Sequence, residues 1–523
     1  MRRSREAMQE VELVDVATDL PLLPAADDPQ AAAAQARRAA RRRRLVRRWW
    51  PLPVAVAGTL VGTQLVLDAR ADDRVAARQE VPGVLRGVDP GLPALRHYDE
   101  AVASVVLSGV VAGDLRVGVA SPPWDAAREL VAVDRDGEPV WQTSLEDPDR
   151  DGPDGGMEYP TCVPDAEPVQ VVRCLVLDRG TAPGLDDAGA GTPTAPTGAR
   201  LVALAAGDGR VRATREVGAT SGWGGAGSVQ VLASVADDTL RVTAWDTAAD
   251  RGGPDDPAAR PLWRTDVELD GRAPTRPVHY PPGVTVTPER VLVQGDLGSW
   301  AFDAADGRLQ AATRDYLAPS RTGHLLAPTG DGVRLLDDTG ATVAELDGTP
   351  LHLAVDDGTV PGVELLTAAG PGGRTISAVD VESGTEVWTA PHPLWTESSV
   401  VLLEGVLYGA DQDAVWAVDA ATGREVWRTL LDASSDTALM TDGRHLLLVA
   451  RPEDLAAVGL AVGAPAGEPV QDPAGGGTRA LAALDLGSGA PAWATRLPEG
   501  VRGVWSWQDD LLGYGDEDIT VLN

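Results

Sequence analysis

One short pattern recurs along the chain and limits what the chain can fold into. It reads Ala-x-Asp-x-x-[Thr/Ser]-Gly-x-x-x-Trp in its clearest form. Units that recur at a fixed period and are too small to be stable alone indicate a repeat fold, in which each copy packs on its neighbours. The clear copies are residues 378–388, 417–427 and 483–493, a shortened one is 132–141, and weaker ones begin at Ala203, Ala301 and Leu335, with one split between 244–246 and 262–263.

The chemistry of the unit predicts a hairpin. In the copy 378–388 an apolar strand ends at Asp380, whose carboxylate can accept hydrogen bonds from the amides of the next turn. Gly384 supplies the positive φ that closes the turn, and Trp388 on the following strand is suited to fill the space between neighbouring sheets. The same structural roles are predicted for Asp419 with Gly423, Asp485 with Gly489, and Trp141, Trp263, Trp427 and Trp493.

Eight such units can be aligned between residues 134 and 485, and most lie about as far apart as one four-stranded blade is long. We therefore predict an all-β fold, a β-propeller of about eight blades over residues 101–523, with seven as the alternative. The last residues, 518–523, resemble a third strand without a fourth. A strand within residues 102–119 is expected to complete that blade and close the ring, which removes exposed sheet edges.

The repeat resembles the tryptophan-docking motif of the PQQ-repeat, or quinoprotein-like, β-propellers. Many members of that family bind no quinone and serve as scaffolds. The PQQ-dependent alcohol dehydrogenases usually add an adjacent cysteine pair and a Glu/Asn/Asp calcium set. Here Cys162 and Cys174 are twelve residues apart and the single asparagine is Asn523, so that set is not carried over. Since a sugar-dehydrogenase-like subgroup lacks the cysteine pair, a quinone enzyme stays the alternative, and we expect no bound PQQ.

The two cysteines admit two interpretations. No Cys-x-x-Cys or Cys/His spacing indicates zinc. In an oxidising compartment Cys162 and Cys174 would form a disulfide across a hairpin. The alternative is two separately buried thiols.

The N-terminal region predicts a membrane anchor. The basic block 37–48 precedes Trp49–Leu67, a stretch without charge that is long enough to cross a bilayer as a helix. Arginines before it and Asp68 after it place the N-terminus in the cytoplasm. We therefore expect a cytoplasmic tail at 1–48, a single-pass transmembrane helix at 49–68, a juxtamembrane linker at 69–100 and an extracytoplasmic propeller. A cleaved signal peptide is the alternative.

One loop matches a calcium-binding pattern. Residues 147–158 fit the spacing D-x-[DN]-x-[DN]-G-x₅-E, in which alternate carboxylates and a final glutamate form an oxygen cage. The candidate ligands of Ca²⁺ are Asp147, Asp149, Asp151 and Glu158. An acidic surface turn is the alternative.

Charge excludes one class of partner. Residues 1–48 hold 11 of the 45 Arg and 7 of the 78 Asp and Glu, so the remainder carries a formal charge of −37. A domain this acidic repels a phosphate backbone, and we expect no nucleic-acid binding. The sequence thus predicts a non-catalytic binding or scaffold module of the cell envelope, with an unidentified protein or envelope ligand held on one propeller face. A PQQ-dependent dehydrogenase of sugars or alcohols and an envelope sensor are the alternatives.

Overall fold

The chain divides into two compact units, residues 1–74 and 75–523. One long helix, α1 (Pro51–Gln79), begins in the first unit and ends in the second. The computed structural model describes residues 37, 38, 40, 51–120, 129–145, 160–179, 196–236, 238–248, 253–255, 259–269, 281–330, 332–370, 373–394, 400–411, 413–431, 438–462, 479–515 and 518–523.

The second unit is an all-β propeller whose described strands form nine sheets, each built on four antiparallel strands, and one sheet has a fifth strand that pairs in parallel. Eight of these blades follow one another along the chain. Their strands are β2–β5 (Val110–Ala112, Leu115–Val119, Glu129–Val133, Pro139–Ser144) in blade 1, β6–β9 (Thr161–Pro164, Val171–Arg179, Pro196–Ala205, Val211–Val217) in blade 2, β10–β13 (Ser221–Ala226, Val229–Ala236, Thr239–Asp246, Trp263–Glu268) in blade 3, and β14–β17 (Gly283–Val286, Arg290–Gly295, Gly298–Asp303, Leu309–Thr313) in blade 4.

Blades 5 to 8 continue in the same way, with one added strand. Blade 5 is β18–β21 (Ala318–Pro319, Leu325–Pro328, Gly332–Leu336, Thr342–Asp347), blade 6 is β22 and β24–β26 (Thr349–Pro350, Val363–Gly370, Gly373–Asp380, Thr385–Leu394), blade 7 is β27–β30 (Val400–Leu403, Val406–Ala410, Ala414–Asp419, Glu425–Leu430), and blade 8 is β31–β34 (Met440–Thr441, His445–Ala450, Ala480–Asp485, Pro491–Arg496). The added strand, β23 (Leu353–Asp356), leaves blade 6 and pairs in parallel with β27 of blade 7.

Blade 9 closes the ring from both ends of the chain. Its strands are β35 (Gly503–Trp507), β36 (Asp510–Tyr514), β37 (Ile519–Val521) and β1 (Arg96–Tyr98). β1 pairs with β37, with Tyr98 opposite Ile519.

The prediction of eight or seven blades is therefore wrong. Each of the eight repeats is the third-to-fourth-strand hairpin of one blade, and the closing blade has no such hairpin because these two strands come from opposite chain ends.

The predicted position of the strand that completes blade 9 is also wrong. Residues 102–119, predicted to contain it, instead form most of helix α2 (Glu100–Ser108) and the strands β2 and β3 of blade 1. Asp99 caps α2, since its carboxylate accepts the amide of Val102 at 2.9 Å. The connection from blade 9 to blade 1 is thus helical, and the strand that closes the ring precedes it.

The repeat tryptophans join neighbouring blades. The Trp388 ring of blade 6 packs over the turn of blade 7, and its Nε1 donates to the Ala420 carbonyl at 2.9 Å. Four tryptophans make this bond at 2.8–2.9 Å, pairing Trp141 with Ala206, Trp263 with Ala304, Trp388 with Ala420 and Trp427 with Leu486. Since each turn carbonyl belongs to the following blade, the indole supplies both apolar packing and one buried hydrogen bond to each junction.

The turn glycine makes room for the indole. Gly423 has φ +68, and a Cβ added there would lie 2.8 Å from the Trp388 ring. The same relation joins Gly209 to Trp141, Gly307 to Trp263 and Gly489 to Trp427. Asp380, Asp419 and Asp485 each accept the amide of the third following residue, as the repeat predicts. The Asp therefore shapes the turn, and the Gly lets the preceding blade approach it.

Tyr98 takes the place of the tryptophan in the closing blade. It is buried, and its ring lies against Gly137, the turn glycine of blade 1. Trp493 of blade 8 is the converse case. Blade 9 has no third-to-fourth turn to receive it, and Trp493 is half-buried beside His445, with ring centroids 6.2 Å apart.

The cysteine prediction is confirmed. Cys162 and Cys174 are directly opposite each other on β6 and β7 and form a disulfide. The bond ties the first two strands of blade 2.

The transmembrane prediction is wrong. Within the part of the chain that the structure describes, which excludes Trp49, none of the helices combines the length and the apolarity that a membrane span requires. The apolar run is diluted by proline, glycine, threonine and glutamine, and α1 continues without a break through Asp68 to Gln79. The predicted single-pass location, in which this helix holds the propeller outside the cell, is therefore wrong as well.

We expect Gly423→Ala to destabilise the fold more than Gly113→Ala does. Both glycines have φ near +67, so both variants incur the roughly 1 kcal/mol cost of a left-handed residue. Only Gly423 faces an indole, whereas nothing lies within 4 Å of Gly113. Overpacking adds about 1–3 kcal/mol. Denaturant unfolding measures both, and equal losses would contradict the docking contact.

We expect Tyr98→Ala to cost roughly 3 kcal/mol, as loss of a buried ring does. Tyr316→Ala is the matched control, because that ring is 60% exposed, and it should change the free energy of unfolding by less than about 0.5 kcal/mol. Equal unfolding midpoints for the two variants would show that Tyr98 does not hold the ring closed.

Candidate functional site

The strand directions divide the ring into two faces. Connections between the first and second strands of a blade, and between the third and fourth, leave one end of the sheet, which we call the turn face. Connections between the second and third strands, and from the fourth strand to the next blade, leave the other end, which we call the loop face. Any site on this fold is therefore assigned to one of two sets of connections.

The loop face has the longer connections. On the turn face the third and fourth strands are joined by short segments such as 206–210, 420–424 and 486–490, with 247–262 of blade 3 as the longer case. On the loop face residues 145–160, 180–195, 269–282 and 451–479 separate successive strands. The last of these contains helix α3 (Pro452–Ala457), whose Leu455 is buried.

Two large apolar side chains of the described loop face are strongly exposed. Tyr316, in the connection from blade 4 to blade 5, is 60% exposed, and Leu430, at the end of β30, is 69% exposed. Exposed aromatic and aliphatic side chains at or next to the ends of strands are suited to contact another protein.

The turn face is partly covered by the chain itself. Residues 75–95, which we call the N-terminal segment and which belong to the predicted linker 69–100, pack on blades 7, 8 and 9. Arg78 bonds Glu404 at 2.5 Å and the Gly443 carbonyl at 2.7 Å. Leu85 is fully buried, and its amide donates to the Thr441 carbonyl at 2.8 Å. This part of the predicted linker thus belongs to the propeller.

Two buried arginines and one half-buried arginine cross three junctions just beneath the turn face. Arg173 of blade 2 pairs with Asp255 of blade 3 and with Asp165 of its own blade. Arg290 of blade 4 pairs with Asp338 of blade 5 and donates to the Gly323 carbonyl. Arg321 of blade 5 holds both oxygens of Asp356, at 2.9 and 3.0 Å, and donates to the carbonyls of Val360 and Val363 at 2.8 and 2.5 Å.

A buried carboxyl stands next to the third of these arginines. Glu364, on β24, is 3% exposed, and burial raises its pKa to about 7 although Arg321 opposes the shift. Its Oε2 lies 3.4 Å from the Thr322 hydroxyl, which is also 2.7 Å from the Ser320 hydroxyl and 3.1 Å from His324 Nδ1. Sequence reasoning missed this group, because the repeat gives no signal for side chains that meet across blades.

Other carboxyls on the turn face are balanced differently. Burial raises the pKa of Asp165 although Arg173 lowers it. Burial also acts to raise the pKa of Asp442, but hydrogen bonds from His445 and Arg444 hold it below its usual value. Glu364 is thus a carboxyl whose proton equilibrium falls near neutral pH.

The predicted calcium ligands Asp147, Asp149, Asp151 and Glu158 lie outside the described residues, and the calcium site stays a prediction. Among the residues that are described, no group of three or more His, Cys, Asp or Glu side chains is arranged to hold a metal ion.

Comparison with known proteins identifies the repeat. A family model described as the outer membrane protein assembly factor BamB matches residues 372–473, which begin in blade 6 and extend into blade 8. No curated protein matches the chain at a significant level. Among solved structures, BamB from Moraxella catarrhalis is similar over 82% of this chain and 98% of that one, with 14% identity and a TM-score of 0.36. Quinohemoprotein alcohol dehydrogenase from Comamonas testosteroni is similar over 73% and 80%, with 13% identity and a TM-score of 0.33. Scores this low carry no argument about function.

The buried carboxyl gives a pH dependence of stability. Because the pKa of Glu364 is about 7 when folded, against 4.5 as the ordinary value, the folded state binds the proton more tightly. This contribution to stability is therefore present at low pH and is lost as pH rises towards 7. We expect Glu364→Gln to be more stable than the parent at pH 8 by up to about 3 kcal/mol, with the difference vanishing near pH 4.5. Denaturant unfolding across this range is the measurement, and a constant difference would refute the shift.

Proposed function

We propose that this β-propeller, whose PQQ-type repeats match the BamB family model over residues 372–473, is a non-catalytic binding module that holds a partner protein on its loop face. The observation that carries the proposal is the asymmetry of the connections. The turns that receive the docking indoles are short, whereas four connections of the opposite face are long, and that face also exposes Tyr316 and Leu430. Binding residues are disproportionately found on loops positioned by a rigid scaffold.

The way the blades are joined supports the same assignment. Indole and tyrosine rings on turn glycines, and arginines across three further junctions, join the blades at eight of the nine junctions between the described sheets. A scaffold held in this way presents its loops without paying the entropy of ordering the domain at each encounter. The similarity to the assembly factor family over residues 372–473 favours a scaffold.

Site-specific photo-crosslinking in the native cell tests the assignment of the face. We expect a crosslinking amino acid at Tyr316 or Leu430 to capture one shared partner. The matched controls are Leu309 and Val343, apolar residues near the turn-face ends of β17 and β21 that are 38% and 39% exposed. Capture of that partner at the controls but not at Tyr316 or Leu430 would move binding to the other face.

The quinone-enzyme alternative has a separate test. Purified protein incubated with PQQ and Ca²⁺ is expected to show neither a quinone absorbance after desalting nor dye-linked oxidation of sugars or alcohols. Either signal, absent from a heat-denatured control, would replace the scaffold by a dehydrogenase.

A further inference from the structure

The turn face contains a short segment that connects four parts of the fold, and we call residues 351–362 the strap. Its strand β23 pairs in parallel with β27 of blade 7. Asp357 accepts the amide of Glu404, and the Thr359 hydroxyl accepts the amide of Gly405 at 2.7 Å, both in the first turn of blade 7. The strap therefore joins blade 6, to which it belongs in sequence, to blade 7.

The strap also supports the N-terminal segment. Gly83 lies directly on the backbone of the strap at Ala354, and its φ of +89 is one that L side chains rarely adopt. Val84 and Val355, which are both buried, belong to the same apolar cluster. A change in the strap is thus transmitted to residues 75–95 by direct contact.

Arg321 of blade 5 holds the strap from the other side. Its bonds to the Asp356 carboxylate and to the Val360 and Val363 carbonyls use four of its five N–H groups. Asp356 already neutralises its charge. Glu364 directly follows Val363. Among the described ion pairs, Arg321 forms one with Asp356 and none with Glu364.

Two carboxyls therefore compete for one guanidinium. The charged groups that face Glu364 are Arg321 and Asp356, and His324 contacts the same Thr322 hydroxyl. Arg290 reaches the same turn from blade 4 through the Gly323 carbonyl. When Glu364 is neutral, it can donate to Thr322, which donates to His324, and Arg321 stays with Asp356. When Glu364 is ionised, its buried charge has no counter-ion of its own. The cost of this charge falls if Arg321 moves from Asp356 to Glu364, or if the strap opens and lets water reach the carboxylate.

We propose that Glu364 is a proton-operated latch, which closes the strap and the N-terminal segment onto the turn face when protonated and loosens them when ionised. The device lies on the face opposite the proposed binding surface, and its test does not depend on the partner. Ionisation at a buried junction costs free energy that local opening recovers, so opening of the strap is coupled to loss of one proton.

Hydrogen exchange of the full-length protein measures the latch. After correction for the intrinsic effect of pH on exchange, we expect the opening constant of residues 351–362 to rise about tenfold between pH 6 and pH 8, as follows for one proton held with a pKa of about 7. Residues 80–88 of the N-terminal segment should show the same rise.

Three variants separate the latch from general loosening. Glu364→Gln should remove the rise, and Glu382→Gln, an exposed glutamate in a turn of the same blade, should keep it. Asp356→Asn frees Arg321 for Glu364, which should move the transition to lower pH and flatten the change between pH 6 and 8, and this readout remains if the Gln variant does not fold. A parent protein whose strap exchanges equally at both pH values, or a Gln variant that keeps the tenfold rise, would overturn the proposal.

Discussion

The contact between an aromatic ring and a turn glycine of the next blade is the interaction on which the ring depends. A four-stranded blade has two apolar faces and cannot be stable alone. Trp388 and its equivalents cover one such face and take a carbonyl of the neighbour as a hydrogen-bond acceptor, so the indole nitrogen is not left unpaired. The glycine is required because the ring occupies the position of its missing side chain. Turn shape and blade packing are thus one constraint.

Three junctions lack the docking indole at the repeat position. The equivalent position, opposite the first repeat residue, is Ala213 in blade 2, Ala311 in blade 4 and Ala344 in blade 5. These are the blades from which Arg173, Arg290 and Arg321 reach across to the next blade. A guanidinium is also flat and rich in donors, but it needs a carboxylate partner to be buried. Ala311 and Ala344 still pack on turn glycines, Gly340 and Gly384.

The sequence predicts features formed by residues close together in the chain, and it does not predict contacts between distant residues. The Asp-Gly turns and the Trp positions follow from one repeat, and the weak copies at Ala203, Ala301 and Leu335 are real blades. The opposed cysteines follow from a hairpin. The repeat does not reveal blade 9, because the third and fourth strands of this blade are more than 420 residues apart in the chain and share no turn. The membrane prediction depends on the absence of charge between residues 49 and 67, whereas no helix of the described residues is long and apolar enough to cross a membrane. The arginine junctions and Glu364 could not be predicted, since their partners come from other blades.

The replacement of the indole by an arginine also explains why the packing next to blade 5 can depend on pH. The indole contact itself uses no ionisable side chain, since the indole nitrogen donates to a backbone carbonyl. A guanidinium junction must bury a charge and its partner, and any second carboxyl nearby then competes for the same cation. At the junction of blades 5 and 6 that second carboxyl is Glu364, and the partner, Asp356, belongs to a strand that also supports the N-terminal segment. Exchanging a tryptophan for an arginine bridge thus makes the packing of one junction depend on a proton, while the indole junctions keep the rest of the ring fixed.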